Sequence, residues 1–281
     1  MAKQNSGEMK DLTNKAGAGG ALATYDYGQM AGSGFENTTT DDLSIPFLVI
    51  LQPMSPEVQP GEDRVPGAEA GMLFNTVTRE LFDAKSGVCF QPVCTQHCFM
   101  EWRPRNQGGG LVARHALGSE VVAKAQEAAK AANAEFGKLK TAEGNDLIET
   151  RYILGYILRD PEQTEPGEPI MIAFTSTKMK VYKNITTRLY TFQGRPPLFA
   201  HRLKITSVLE ENPKGKFYNF KIEPYYGTIQ QSLINPTGPS RKLLSDASEL
   251  KTSFEKGERK VNYEKQGGAS GGAGSGEEVP F

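Results

Sequence analysis

Long apolar runs are missing from this chain, and so are the residue clusters on which most catalytic centres are built. No window of about 18 apolar residues occurs, which argues against a membrane-spanning helix. Three cysteines in 281 residues are too few for a disulfide framework and fit a reducing compartment. The opening MAKQNSGEMK lacks the apolar core of a secretory signal, so the expected location is cytoplasmic. The three histidines, His97, His115 and His201, are scattered. There is no GxxxxGK[ST] phosphate loop and no GxSxG in a strand–turn–helix setting, and GAGG near residue 17 lies in low-complexity sequence. A dense carboxylate cluster suited to two-metal chemistry is also missing. Together these absences lead to the expectation of a binding protein, with no catalytic residue and no cofactor.

One set of metal-ligand types remains, Cys89, Cys94, His97 and Cys98. Strand alternation turns Cys94 and Cys98 to one face and His97 to the other, unlike the tight paired turn of a zinc knuckle. Buried thiols packing as small hydrophobes are the expectation, with Cys94, His97 and Cys98 as the metal alternative.

What the chain does contain is segregated charge. The net charge is only -1. Residues 1–42 nevertheless hold three lysines against six acids, and residues 169–222 hold ten Lys/Arg against Glu210 and Glu211. An internal basic block points to an anionic polymer as ligand. Hydrophobic content is low at 38%, partly because many of the 30 glycines sit near the two ends.

Hydrophobic periodicity predicts a mainly β chain with helical additions, of α+β class. Residues 1–42 read as disordered. The folded part spans 43–256, and a Gly-rich linker and tip follow over 257–281. IPFLVIL, GMLFNTVTRELF and GVCFQPVCTQHCFMEW read as strands, with Pro92 marking an edge or a bulge in the last. A helix with Ser119 as N-cap is inserted near 118–140. TRYILGYILRD returns to β with Tyr152, Leu154, Tyr156 and Leu158 on one face, and PIMIAF is a short strand. Met179, Tyr182, Ile185 and Leu189 fall at helical spacing, and a hairpin about NPKG and a closing helix from Pro239 to Gly257 follow. This order is compatible with an oligonucleotide-binding (OB) barrel carrying an inserted helix, and also with a generic α+β sheet.

Two stretches combine aromatic rings with cations. FMEWRPRNQGGG holds the only tryptophan, Trp102, beside Arg103 and Arg105, with Arg114 close behind. The basic block offers Lys178, Lys180, Lys183, Arg188, Arg195, Arg202, Lys204, Lys214, Lys216 and Lys221, interleaved with Tyr182, Tyr190, Phe192, Phe217, Tyr218 and Phe220, of which Phe217 is the candidate ring. Cations that track phosphates and rings that stack on bases are the requirements of sequence-tolerant single-strand binding. For Trp102 a core role is an equal alternative.

The tail GGASGGAGSGEEVPF is the most specific feature. Its tip, Glu277, Glu278, Val279, Pro280 and Phe281, resembles the C-terminal tip of bacterial single-stranded DNA-binding proteins. The body, with IPFLVILQPMSPEV, LFNTVT and EWRPRNQGGG, looks like that of phage-encoded proteins of the same type. This tip has only two acids, fewer than such tails usually carry. The resemblance implies a domain that binds single-stranded DNA, and a tip that recruits a replication or recombination protein such as a polymerase, helicase, nuclease or primase. A homo-oligomer is compatible with it. A protein–protein adaptor or transcription coactivator with secondary DNA contact, or a strand-annealing recombination protein, are the alternative readings.

Overall fold

A computed structural model describes residues 33–38, 43–133, 138–213 and 215–267. The chain divides into two units, 1–39 and 40–281. Of the first, only 33–38 are described, a turn in which the Thr38 amide donates to the Phe35 carbonyl at 2.9 Å. The disorder expected for the rest of 1–42, and the tip at 277–281, lie outside the described residues.

The second unit begins with β1 (Ser44–Ile45), β2 (Leu48–Ile50), β3 (Leu73–Asn75) and β4 (Leu81–Phe82). It continues through β5 (Val88–Trp102), β6 (Leu111–His115), α1 (Glu120–Ala131), β7 (Leu139–Lys140), β8 (Asp146–Leu158) and β9 (Glu168–Phe174). Then come α2 (Met179–Thr191), β10 (Leu203–Asn212), β11 (Gly215–Pro224), α3 (Arg241–Glu255) and β12 (Lys260–Val261). The α+β class expected from the sequence is what is found.

The main sheet is built on two long strands, β5 and β8, paired antiparallel over nearly their whole length. At one end β9 joins β8, and β10 returns to pair with β5 at Val88–Phe90. The order β10-β5-β8-β9 is a Greek key, to which β11 adds as the outer half of the final hairpin. At the other end β6 extends β5 and β7 extends β8. Pro92 does mark a bulge, because the register slips between Pro92 and Cys94. The strand is central and not an edge, and the bulge accommodates the missing N–H.

The sheet is open: among the described residues no strand pairing joins β9 to β11. The segment that carries β2 spans that gap. The Met171 amide donates to the Pro46 carbonyl at 2.9 Å on the β9 side. On the β11 side the Gln52 amide side chain donates to the Tyr218 carbonyl at 2.8 Å and accepts from its N–H at 2.9 Å.

Both faces of the sheet are covered, so its strands alternate between two cores. One core takes Tyr152, Leu154, Tyr156 and Leu158 of β8, as the alternation predicted, together with Cys94, Cys98 and Leu243, Ala247 and Leu250 of α3. The other takes Ile153 and Ile157 of β8, Ile170, Ile172 and Phe174 of β9, and Tyr182, Ile185 and Leu189 of α2. Gly155 of β8 is a glycine by necessity, because a Cβ there would lie 2.3 Å from the Phe90 ring and from the Gln91 carbonyl. Ser119 caps α1 as expected, accepting from the Val122 amide, but the helix stops at Ala131 and Asn133 turns left-handed (φ 48°). The inserted helix is therefore shorter than the sequence suggested.

The folded part does not end at 256. β12 pairs parallel with β1, and Tyr263 packs edge-on to Tyr152 at 5.3 Å. The Tyr152 hydroxyl donates to Gln266 at 2.6 Å. Residues 258–267, expected as linker, are tied to the core by aromatic contacts that Gly-counting overlooks.

Candidate nucleic-acid interface

Helix α2 follows a short 3-10 turn at Ser176–Lys178. It buries Tyr182, Ile185 and Leu189, which leaves Lys180, Lys183, Asn184 and Arg188 in solvent. Lys180, Asn184 and Arg188 recur every four residues, so they line one flank of the helix. That flank faces Phe220–Glu223 of β11 across an open cleft of about 360 Å³. Lys221 stands on the β11 wall.

The cations in this cleft are loosely held. Lys180 bonds Glu210 at 2.6 Å and Lys221 bonds Glu223 at 2.8 Å. Both lysines are more than half exposed, and such pairs are worth little in water. Arg188 makes no ion pair among the described residues. Burial works to raise Glu210, but hydrogen bonds from Lys180 and Asn219 outweigh it and hold the carboxyl below its usual range. Lys178 sits at the head of α2 with its ammonium 5.3 Å from the Phe220 ring centroid. Desolvation pulls it down to about 8.

The remaining candidates from the basic block are dispersed. Lys216 is exposed and Lys204 half-buried on the hairpin, opposite Glu223. Lys214 lies outside the described residues. Two expectations need correction. Phe217 is 7% exposed and Arg202 5% exposed. Phe217 falls on a strand face that also packs, and the Arg202 backbone is pinned at 2.8 Å to Ser232 and at 2.9 Å to Tyr225. Neither side chain offers a surface to a polymer.

The stretch around Trp102 divides differently. Trp102 is 2% exposed and belongs to the core with Cys98 and Met100. It is a core anchor, and the expectation that its ring stacks on bases is corrected. Arg103 and Arg105 are exposed on a loop closed by the Arg103 amide donating to the Gly110 carbonyl at 3.0 Å. Gly108, Gly109 and Gly110 all take positive φ, which only glycine adopts freely. Arg114 is engaged by the C-terminal segment: its guanidinium donates to the Tyr263 hydroxyl at 2.7 Å and lies 5.0 Å over that ring.

The cysteines behave as small hydrophobes. Cys94 and Cys98 are buried in one core, and burial pushes both thiols up to about 11. His97 points to the other face and bonds Glu149 at 2.8 Å. No cluster of three metal-ligating side chains occurs among the described residues.

Of the basic block, the structure thus gathers Lys180, Arg188 and Lys221 at the cleft and adds Asn184, with Lys178 beside Phe220 and Lys183 exposed on the same helix. Asn184 was not singled out by composition, although its i, i+4 relation to Lys180 and Arg188 was there to be found.

No curated protein and no solved structure matches the chain. A family model does, the Pam3 phage gp34-like protein family, over residues 14–260 of the 281. That span takes in β1 through α3, and the chain belongs to the Pam3 phage gp34-like protein family.

Proposed function

We propose that this protein binds single-stranded DNA, without strong sequence preference, along α2 and the cleft between α2 and β11. The observation that carries the reading is the placement of Lys180 and Arg188 on one wall of that cleft and Lys221 on the other. Facing cations in an open groove suit a flexible polyanion. The Greek-key order, with α2 between its third and fourth strands and a final hairpin, supports the finer reading as an oligonucleotide-binding fold. That fold tolerates a partly open barrel, so the gap between β9 and β11 is no obstacle. A phage family is a natural setting for such a protein. Its tip, Glu277–Phe281, is read as a ligand for a replication or recombination protein. A Phe preceded by Val-Pro and two acids suits an apolar pocket rimmed by cations.

The test is fluorescence anisotropy with labelled single-stranded and duplex oligonucleotides at two salt concentrations. Binding should favour the single strand and weaken with salt, with a log–log slope of about -0.7 for each phosphate contact. Removing Glu277–Phe281 should leave that affinity unchanged or tighter. No binding, or a preference for duplex, would sink the proposal.

A further inference from the structure

On the far flank of α2 from the cationic cleft, the chain builds a second feature. Tyr190 is 66% exposed although Leu189 beside it is 5% exposed. After the helix the chain turns back, with the Arg195 amide donating to the Phe192 carbonyl at 3.1 Å. Gly194 (φ 79°) and Arg195 (φ 42°) are both left-handed. For arginine that conformation is unfavourable, and it persists only where the surroundings hold it. Its effect is to bring the guanidinium over the Tyr190 ring, 4.7 Å from the centroid. With one ring face covered by Arg195, exposure of two thirds leaves the other face open. Beside the pair is a cavity of about 510 Å³, lined by Thr95, Thr187, Pro196 and Leu198 among others. Cavities of roughly 300–1,000 Å³ are the size that takes small ligands.

We infer that Tyr190, backed by Arg195, is a nucleobase-stacking subsite, an inference that rests on the single-stranded DNA reading above. An open ring face stacks on any base, because every base has a π-face. Arg188 and Tyr190 are two residues apart and so point to different flanks of α2. A strand crossing the C-terminal part of the helix meets phosphate-binding cations on one side and a stacking ring on the other. The cleft supplies sequence-independent charge, and Tyr190 supplies the contact that distinguishes a strand with bases from a bare polyanion.

The test uses the full chain and two labelled probes of equal charge, an oligothymidylate of about 12 nucleotides and an abasic strand of the same length. The unaltered protein should prefer the oligothymidylate. Tyr190→Ala should lower that affinity about 10-fold, leave the salt slope unchanged and abolish the preference, and Tyr190→Phe should restore both. Equal binding of the two probes by the unaltered protein overturns the subsite and leaves the cleft reading standing. So does Tyr190→Ala binding oligothymidylate as the parent does. Binding of neither probe overturns both readings. Tyr190 is a surface residue, and a circular dichroism spectrum matching the parent's separates lost stacking from lost folding.

Discussion

Residues 99–115 and 178–195 look equivalent in sequence, since each interleaves aromatic rings with Lys and Arg. In the fold they diverge. The first runs out of β5, a central strand whose sheet is covered on both faces, so Trp102 goes into the core with Met100 and Cys98. Its arginines are left on a glycine loop or against Tyr263. The second is a helix at the edge of the core. It buries Tyr182, Ile185 and Leu189, packs Met179 and Val181 partly against the core, and exposes seven of its thirteen residues. A strand in a doubly covered sheet has almost no free surface, whereas a helix on its margin keeps more than half. Secondary structure, more than composition, decides which aromatic and basic stretch can meet a ligand.

Substituting Trp102 gives the sharpest test of that contrast. Trp102→Ala should destabilise the protein by about 3–5 kcal/mol, as large-to-small changes of buried aromatics do. The folded fraction should bind single strands with unchanged affinity. Thermal unfolding and anisotropy on the same preparation check this. An unchanged melting temperature with weakened binding would make Trp102 a surface ring and break the comparison.

Charge removal follows in size. Lys180→Ala, Arg188→Ala and Lys221→Ala combined should cost on the order of 100-fold in affinity at low salt, and reduce the salt slope by about 2. Arg103→Ala with Arg105→Ala should cost only several-fold. A larger loss from the loop pair than from the cleft triple would relocate the interface to the first stretch.

Much of the fold was legible because periodicity survives tertiary packing. The Tyr152–Leu158 alternation placed β8, the Tyr182, Ile185, Leu189 spacing placed α2, and the NPKG turn placed the last hairpin. What was not legible depends on distant partners. Val261, Tyr263 and Gln266 belong to the folded unit only because Ile45, Phe47 and Tyr152 meet them from far away in the chain. The cleft is legible by halves: the 180, 184, 188 repeat gives one wall, but Lys221 joins it only when β11 docks beside α2. Burial of Phe217 likewise depends on which part of a strand face is covered: Phe217 and Asn219 are buried while Lys221 and Glu223 on the same face of β11 are exposed, a difference alternation alone cannot give.

The smallest expected effect separates the two stretches by chemistry. The loop offers only arginines, which stay charged at any ordinary pH. The head of α2 offers Lys178, whose folded-state pKa of about 8 lies below the 10.5 of an ordinary lysine because burial disfavours its charge. Between those values the unfolded chain binds the extra proton, so raising the pH through 8 should increase stability on this residue's account. The same rise removes a positive charge from beside Phe220, which lines the cleft. Stability and affinity should therefore move in opposite directions between pH 7 and pH 9, with a slightly shallower salt slope. Alkaline unfolding would lower both together, so the opposition is the signature. Lys178→Arg keeps the charge and should hold the salt slope flat across that range. A slope that still falls in Lys178→Arg would place the titrating cation elsewhere than at the head of α2.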